Sequence, residues 1–194
     1  MAKSKVKSVY TFGNKKAEGD ASMKNLLGGK GANLCEMNLI GVPVPPGFTI
    51  TTEMCTVYVK EGREKVLKMI KSEVEDGIAY IEKHMGSKFT DSKNPCLVSV
   101  RSGSRASMPG MMDTVLNLGL TDEIVDALCK VSDPRFVYDS YRRLIMMLSD
   151  VAYSDKYEHI TKHDFEHLFA DLKKELGVKE DLEVDAEGLK KLCE

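Results

Sequence analysis

Three of the six prolines fall within four positions, in Val42-Pro43-Val44-Pro45-Pro46-Gly47, and no other run limits the fold as strongly. Each proline removes a backbone donor and fixes φ, so the run is neither a helix nor a central strand. It predicts an extended connector. Before it, Leu34, Met37 and Ile40 recur at threes and Gly41 follows, the pattern of a short helix and its stop. After it, Phe48-Thr49-Ile50-Thr51 reads as a strand. Thr51 or Thr52 then stands where a cap would, with Glu53 in the first turn of a following helix. Upstream, Val9-Tyr10-Thr11-Phe12 reads as another short strand.

The apolar stripe Val66, Met69, Ile70, Val74, Ile78, Ile81 and Met85 predicts a long helix over 63–85, ended by Gly86. Cys96 to Val100 is β-rich and leads to Arg101; a polar stretch with Gly and Pro runs from Ser102 to Thr114. From about 121 onward the pattern is helical. Asp133-Pro134 is a cap followed by proline at the first helical position, ahead of a stripe of Phe136, Val137, Tyr141, Leu144, Ile145, Leu148 and Val151. Another helix is predicted over 162–176, capped by Thr161, with Phe165, Leu168, Phe169, Leu172 and Leu176 inside and Gly177 as stop. Asp185 can cap one more. The chain ends at Glu194 without a stop signal, so the expectation is a natural domain that continues. The fold class is α+β, with an α+β part over 1–120 and a helical part over 121–194, and no regular βαβ alternation.

At 194 residues, with 42% hydrophobic and 30% charged, the chain can bury a real core. A net charge of −2, no Trp and only 7% aromatic residues argue against a nucleic-acid partner. No run approaches the roughly 18 apolar residues of a membrane span, so no membrane partner is expected. The basic segment Met1–Lys7 is followed by no apolar run, which argues against a secretory signal. Five widely spaced cysteines without a C-x-x-C read as free thiols in a reducing, cytoplasmic compartment. Residues 1–31 hold seven lysines against Glu18 and Asp20, and residues 171–194 hold eight acids against five lysines. That asymmetry favours anion binding near the front.

Two stretches carry candidate chemistry. Gly28-Gly29-Lys30-Gly31 reads as a turn opening a helix, where backbone N–H groups and the Lys30 ammonium can meet a polyphosphate. It matches neither a Walker A loop nor a dinucleotide fingerprint, and a glycine turn with a solvated lysine fits the spacing as well. The run Leu97-Val98-Ser99-Val100-Arg101 predicts alternation, with Val98 and Val100 on one side and Arg101 on the other. A guanidinium at a strand end grips phosphate in two parallel hydrogen bonds. Arg105, Ser102, Ser104 and Ser107 follow nearby; arginines paired with acids are the competing reading. Met108-Pro109-Gly110-Met111-Met112 is either a flexible apolar flap or a core plug.

Three stretches carry a resemblance: Leu26 to Leu34, Val42 to Phe48, and Val98 to Thr114 with its Ser107-Met108-Pro109-Gly110-Met111-Met112-Asp113-Thr114 run. They resemble the pyruvate, phosphate dikinase family, as does Asp139-Ser140-Tyr141-Arg142-Arg143. The first two are shared with phosphoenolpyruvate synthase; the third separates the two families. The resemblance implies an incomplete ATP-grasp-type nucleotide-binding domain with a helical subdomain. It implies a parent kinase of the phosphotransferase class, in which the β,γ-pyrophosphoryl group of ATP passes to a histidine on a separate domain, phosphate removes one phosphoryl group as pyrophosphate, and pyruvate receives the other on a third domain. Lys30 and Arg101 are then the catalytic pair, and Gly28, Gly29, Lys30, Arg101, Arg105, Ser107, Met108 and Gly110 hold ATP or AMP. Mg²⁺ is implied with ligands beyond residue 194, and the parent is expected to be a homodimer. The chain alone is expected to be inactive. A phosphoenolpyruvate synthase-type dikinase and a non-catalytic helical interaction module are the alternatives.

His159, His163 and His167 lie four apart, but Thr161 as cap leaves His159 outside the helix, so a solvated face is the reading and no metal site is assigned. Cys35 sits on an apolar face and reads as core.

Overall fold

The structure, a computed structural model, describes residues 7–103, 114–153 and 162–194. They form two compact units: residues 7–87 with 102–103, and residues 88–101 with 114–153 and 162–194.

In the first unit β1 (Val9–Gly13) pairs antiparallel with the two-residue β2 (Lys16–Ala17). Asn14 and Lys15 take positive φ (51° and 61°), the backbone that a two-residue hairpin turn needs. Helix α1 (Lys24–Leu39) follows, and its Leu27, Ala32 and Cys35 bury against Phe12. Asn38 is buried yet satisfied: its Nδ2 donates to the Lys16 carbonyl at 2.5 Å and its Oδ1 accepts from the Lys15 N–H at 3.1 Å. The proline run is extended as predicted and delivers β3 (Gly47–Ile50), which pairs antiparallel with β1, Val9 opposite Ile50.

Helix α2 (Thr52–Glu61) and helix α3 (Arg63–Met85) share a core of Met54, Val66 and Ile70. Thr51 occupies the cap position of α2, but its side chain makes no cap bond; the hydroxyl is buried without a hydrogen-bond partner among the described residues. Helix α3 has the predicted limits, and Gly86 closes it in the left-handed conformation. Glu73 ties α3 to β1 by accepting from the N–H groups of Ser8 (2.7 Å) and Val9 (3.0 Å).

In the second unit β4 (Val98–Arg101) pairs antiparallel with β5 (Thr114–Leu118). The residue pattern alone does not predict the strand at 114–118. The register carries an irregularity: Val98 faces Leu118 while Val100 faces Val115, so β5 holds one more residue than β4 between those pairs. Asn117, at φ 57°, takes up the extra residue. Val100 is half exposed while Val115 opposite it is buried.

Val115, Leu120, Ile124, Val125, Val137 and Leu144 form the main core, drawn from β5, the turn that follows it, helix α4 (Asp122–Leu128) and helix α5 (Pro134–Leu148). Asp133 caps α5, its carboxylate accepting from the Arg135 N–H at 3.0 Å. Phe136, placed in the α5 stripe, is 64% exposed, whereas its neighbour Val137 is buried. A π-helical stretch, Ser149–Tyr153, continues α5. Helix α6 (Lys162–Leu176) and helix α7 (Ala186–Cys193) enclose Phe169, Leu172, Val184 and Leu189. Leu168 and Leu176 of the α6 stripe are exposed instead. Asp185 caps α7 through the Gly188 N–H at 2.8 Å. Arg135 reaches the irregular segment before α7, donating from Nε to the Val184 carbonyl (2.8 Å) and from Nη2 to that of Asp181 (2.7 Å). The Thr161 cap and His159 lie outside the described residues.

Candidate nucleotide site

The glycine cluster does not form the four-residue turn that the sequence predicts. A single residue, Gly28 (φ 70°, ψ 167°), breaks α1 into two helical runs, and Gly29, Lys30 and Gly31 already belong to the second. One residue at positive φ is enough to interrupt the helix, and glycine reaches it without a Cβ clash. A helix start generally leaves its first N–H groups without partners four residues back, which is the usual origin of an anion site there.

Gly31 serves packing instead. A Cβ there would lie 2.8 Å from both Cγ2 and Oγ1 of Thr49, so the missing side chain lets α1 approach β3. Gly28 is buried, Gly29 half-buried and Lys30 exposed. The Lys30 ammonium donates to the Ser102 carbonyl at 3.0 Å. Ser102 stood out in the sequence only for its hydroxyl; it is the main-chain oxygen that meets Lys30, a partner that no side-chain type announces.

Arg101 is the last residue of β4, exposed and opposite Thr114. Among the described residues no carboxylate pairs with it or with Lys30. Lys30 belongs to the first unit and Arg101 to the second. Arg105, Ser107, Met108 and Gly110 lie outside the described residues, as does the rest of the Met-Pro-Gly-Met-Met run.

A cavity of 460 Å³ in the first unit is lined by Thr11, Glu18, Glu73, Asp76 and Tyr80 among others, and Lys30 is not part of its wall. Cys35 is fully buried, and burial pushes its thiol up, which fits the core role and not that of a nucleophile. Among the described residues no three His, Cys, Asp or Glu side chains come together as metal ligands. None of the described helices is long and apolar enough to cross a membrane.

The family described as "Pyruvate phosphate dikinase, AMP/ATP-binding domain" matches residues 24–76 and 66–150. The chain is 49% identical over 189 residues to the pyruvate, phosphate dikinase of Clostridium symbiosum, covering 97% of this chain and 20% of that protein. It is 50% identical over 181 residues to the dikinase of Rhizobium meliloti (strain 1021), covering 93% and 20%. It is 48% identical over 189 residues to the chloroplastic dikinase of Mesembryanthemum crystallinum, covering 97% and 19%. The chain thus spans a fifth of the length of these relatives. The family match includes both the glycine break with Lys30 and the strand ending in Arg101, and the chain belongs to the pyruvate phosphate dikinase AMP/ATP-binding domain family.

Proposed function

We propose that this chain is the nucleotide-binding portion of a pyruvate, phosphate dikinase, and that Lys30 and Arg101 hold the polyphosphate of ATP. Identity near one half across 97% of the chain to such a dikinase carries the reading. In this proposal residues 1–120 form the first part of an ATP-grasp domain and residues 121–194 its helical subdomain. The parent interconverts ATP, phosphate and pyruvate with AMP, pyrophosphate and phosphoenolpyruvate.

In the first step a histidine nitrogen on another domain of the parent attacks the β-phosphorus. The bond between that phosphorus and the α,β-bridging oxygen breaks, and AMP leaves with the electron pair. Phosphate then takes the terminal phosphoryl group, giving pyrophosphate, and the remaining one passes to pyruvate on a third domain. Such transfers depend on positioning and on neutralising charge as it moves to the leaving group. Lys30 acts as a mobile point charge beside the N–H groups of the restarted helix. Arg101 offers a planar fork to two oxygens. Gly28 and Gly29 let the backbone approach, and Arg105, Ser107, Met108 and Gly110 are assigned as further phosphate contacts. Among the described residues no three His, Cys, Asp or Glu side chains converge to hold Mg²⁺, and in this proposal its ligands lie beyond residue 194. A dimeric, cytoplasmic parent belongs to the same proposal.

Equilibrium dialysis with labelled ATP and labelled AMP on the full-length parent, compared with Lys30→Ala and Arg101→Ala, tests the assignment. A lost hydrogen bond to a charged group costs about 1.5–3 kcal/mol, which is roughly a ten- to hundredfold loss of ATP affinity. AMP, lacking the polyphosphate, should change much less. Unchanged ATP affinity in both variants refutes the roles given to these two residues.

A further inference from the structure

We propose that His163 and His167 form a surface chelate for a late first-row divalent ion, with Ni²⁺, Cu²⁺ and Zn²⁺ as the chemical class. The two side chains stand one helical turn apart near the start of α6. Their ring centroids are 4.6 Å apart and the rings are tilted by 58°. With a metal–nitrogen distance of about 2.1 Å and a ring nitrogen about 1.1 Å from its centroid, each centroid lies about 3.2 Å from a bound ion. Two such rings meeting at a coordination angle of about 90–110° have centroids about 4.5–5.2 Å apart. The observed separation falls in that interval, so the spacing of the two rings suits closure on one ion.

A second, independent contact points the same way. Glu166 holds Nδ1 of His163, with 3.2 Å between Oε2 and the ring nitrogen. A carboxylate on one ring nitrogen fixes the tautomer and leaves the other, Nε2, as the ligand atom, the arrangement that supports histidine ligands in metal sites. His163 is 76% exposed on its side chain, so an ion reaches it without being buried, and waters complete the coordination. The helix start opposes a cation, but Asp164 and Glu166 in the same turn supply compensating negative charge. Two imidazoles select nitrogen-loving ions and give Mg²⁺ or Ca²⁺, which want oxygen, no advantage. An ion held there is therefore of a different class from the Mg²⁺ that phosphoryl transfer implies. Its effect is to cross-link the first turn of α6, whose Phe169 and Leu172 lie in the core of the second unit.

Calorimetric titration of the reduced chain with NiCl₂, in a Cys55→Ser background because Cys55 is exposed, tests the proposal. One ion should bind, and melting should shift upward. His163→Ala and His167→Ala should each lower affinity at least tenfold, since each removes the chelate. Glu166→Gln should lower it severalfold, and His84→Ala should not change it. All of these side chains are exposed, so the variants keep their fold, which circular dichroism checks. The proposal is overturned if the double variant His163→Ala/His167→Ala binds Ni²⁺ as tightly as the unaltered pair, or if either single variant loses less than threefold. Displacement of Ni²⁺ by equimolar Mg²⁺ would overturn it equally.

Discussion

Replacing Gly31 by alanine puts a methyl group where α1 touches β3. The new Cβ would lie 2.8 Å from Cγ2 and Oγ1 of Thr49 and 3.3 Å from the Leu27 Cβ. Carbon contacts are comfortable at about 3.5–4.0 Å, so the two elements must part by roughly 0.7 Å or more, or Thr49 must turn. Thr49 has little room to do so. It is β-branched, and its strand is paired through Tyr10 to β1. Overpacking of this kind costs about 1–3 kcal/mol, and alanine returns up to about 1 kcal/mol in helix propensity. The net loss should be about 1–2 kcal/mol. With a urea slope of roughly 1–3 kcal/mol per molar, the unfolding midpoint should fall by about 0.5–1 M. Thr49→Ala in the Gly31→Ala background should recover much of it, with a coupling energy of at least about 1 kcal/mol in the double-mutant cycle. Urea titrations followed by circular dichroism read both numbers. An unchanged or higher midpoint for Gly31→Ala, or strict additivity in the cycle, would refute the packing role given to this glycine.

Two other outcomes follow from local contacts. Burial works against ionisation of Glu18, but the Lys7 ammonium and the Thr11 donors outweigh it and hold the carboxyl below its ordinary value of 4.5. A depressed carboxyl stabilises the fold above its unfolded pKa, and that contribution is lost as pH falls through the folded value. Glu18→Gln should therefore narrow the stability gap to the unaltered protein as the pH drops below about 4.5; parallel acid limbs in pH-dependent urea titrations would contradict this. Asp133→Ala removes the cap of α5 and should cost about 1 kcal/mol, while Asp133→Asn should keep most of it; equal midpoints for the two variants would show that the cap bond contributes nothing.

What was legible in the sequence is mostly what short-range chemistry decides. Gly86, Asp133 and Asp185 mark helix ends because a positive φ or a carboxylate on a nearby N–H acts within a few residues. Thr51 shows the limit of that logic: the helix starts where predicted, but its hydroxyl turns into the interior and caps nothing. Strand β5 escaped notice because Thr114-Val115-Leu116-Asn117-Leu118 becomes a strand by pairing with β4, and Asn117 breaks its alternation. The buried stripes of α5 and α6 are narrower than the residue types alone suggest. Phe136 and Leu168 have the right residue type, but the neighbouring elements cover only the arcs holding Val137 and Phe169. At the candidate site Lys30 was legible from its glycine setting. Its acceptor was not, since a main-chain carbonyl 72 residues away leaves no mark on residue types.

The reach of Arg135 gives the second unit a topological lock. The segment between α6 and α7 has little regular structure, and two of its carbonyls are satisfied by one guanidinium 46 and 49 residues earlier in the chain. Both bonds join the first turn of α5 to the segment that leads into α7, and a lysine in place of Arg135, lacking a rigid fork, would satisfy the two carbonyls less well and loosen that junction.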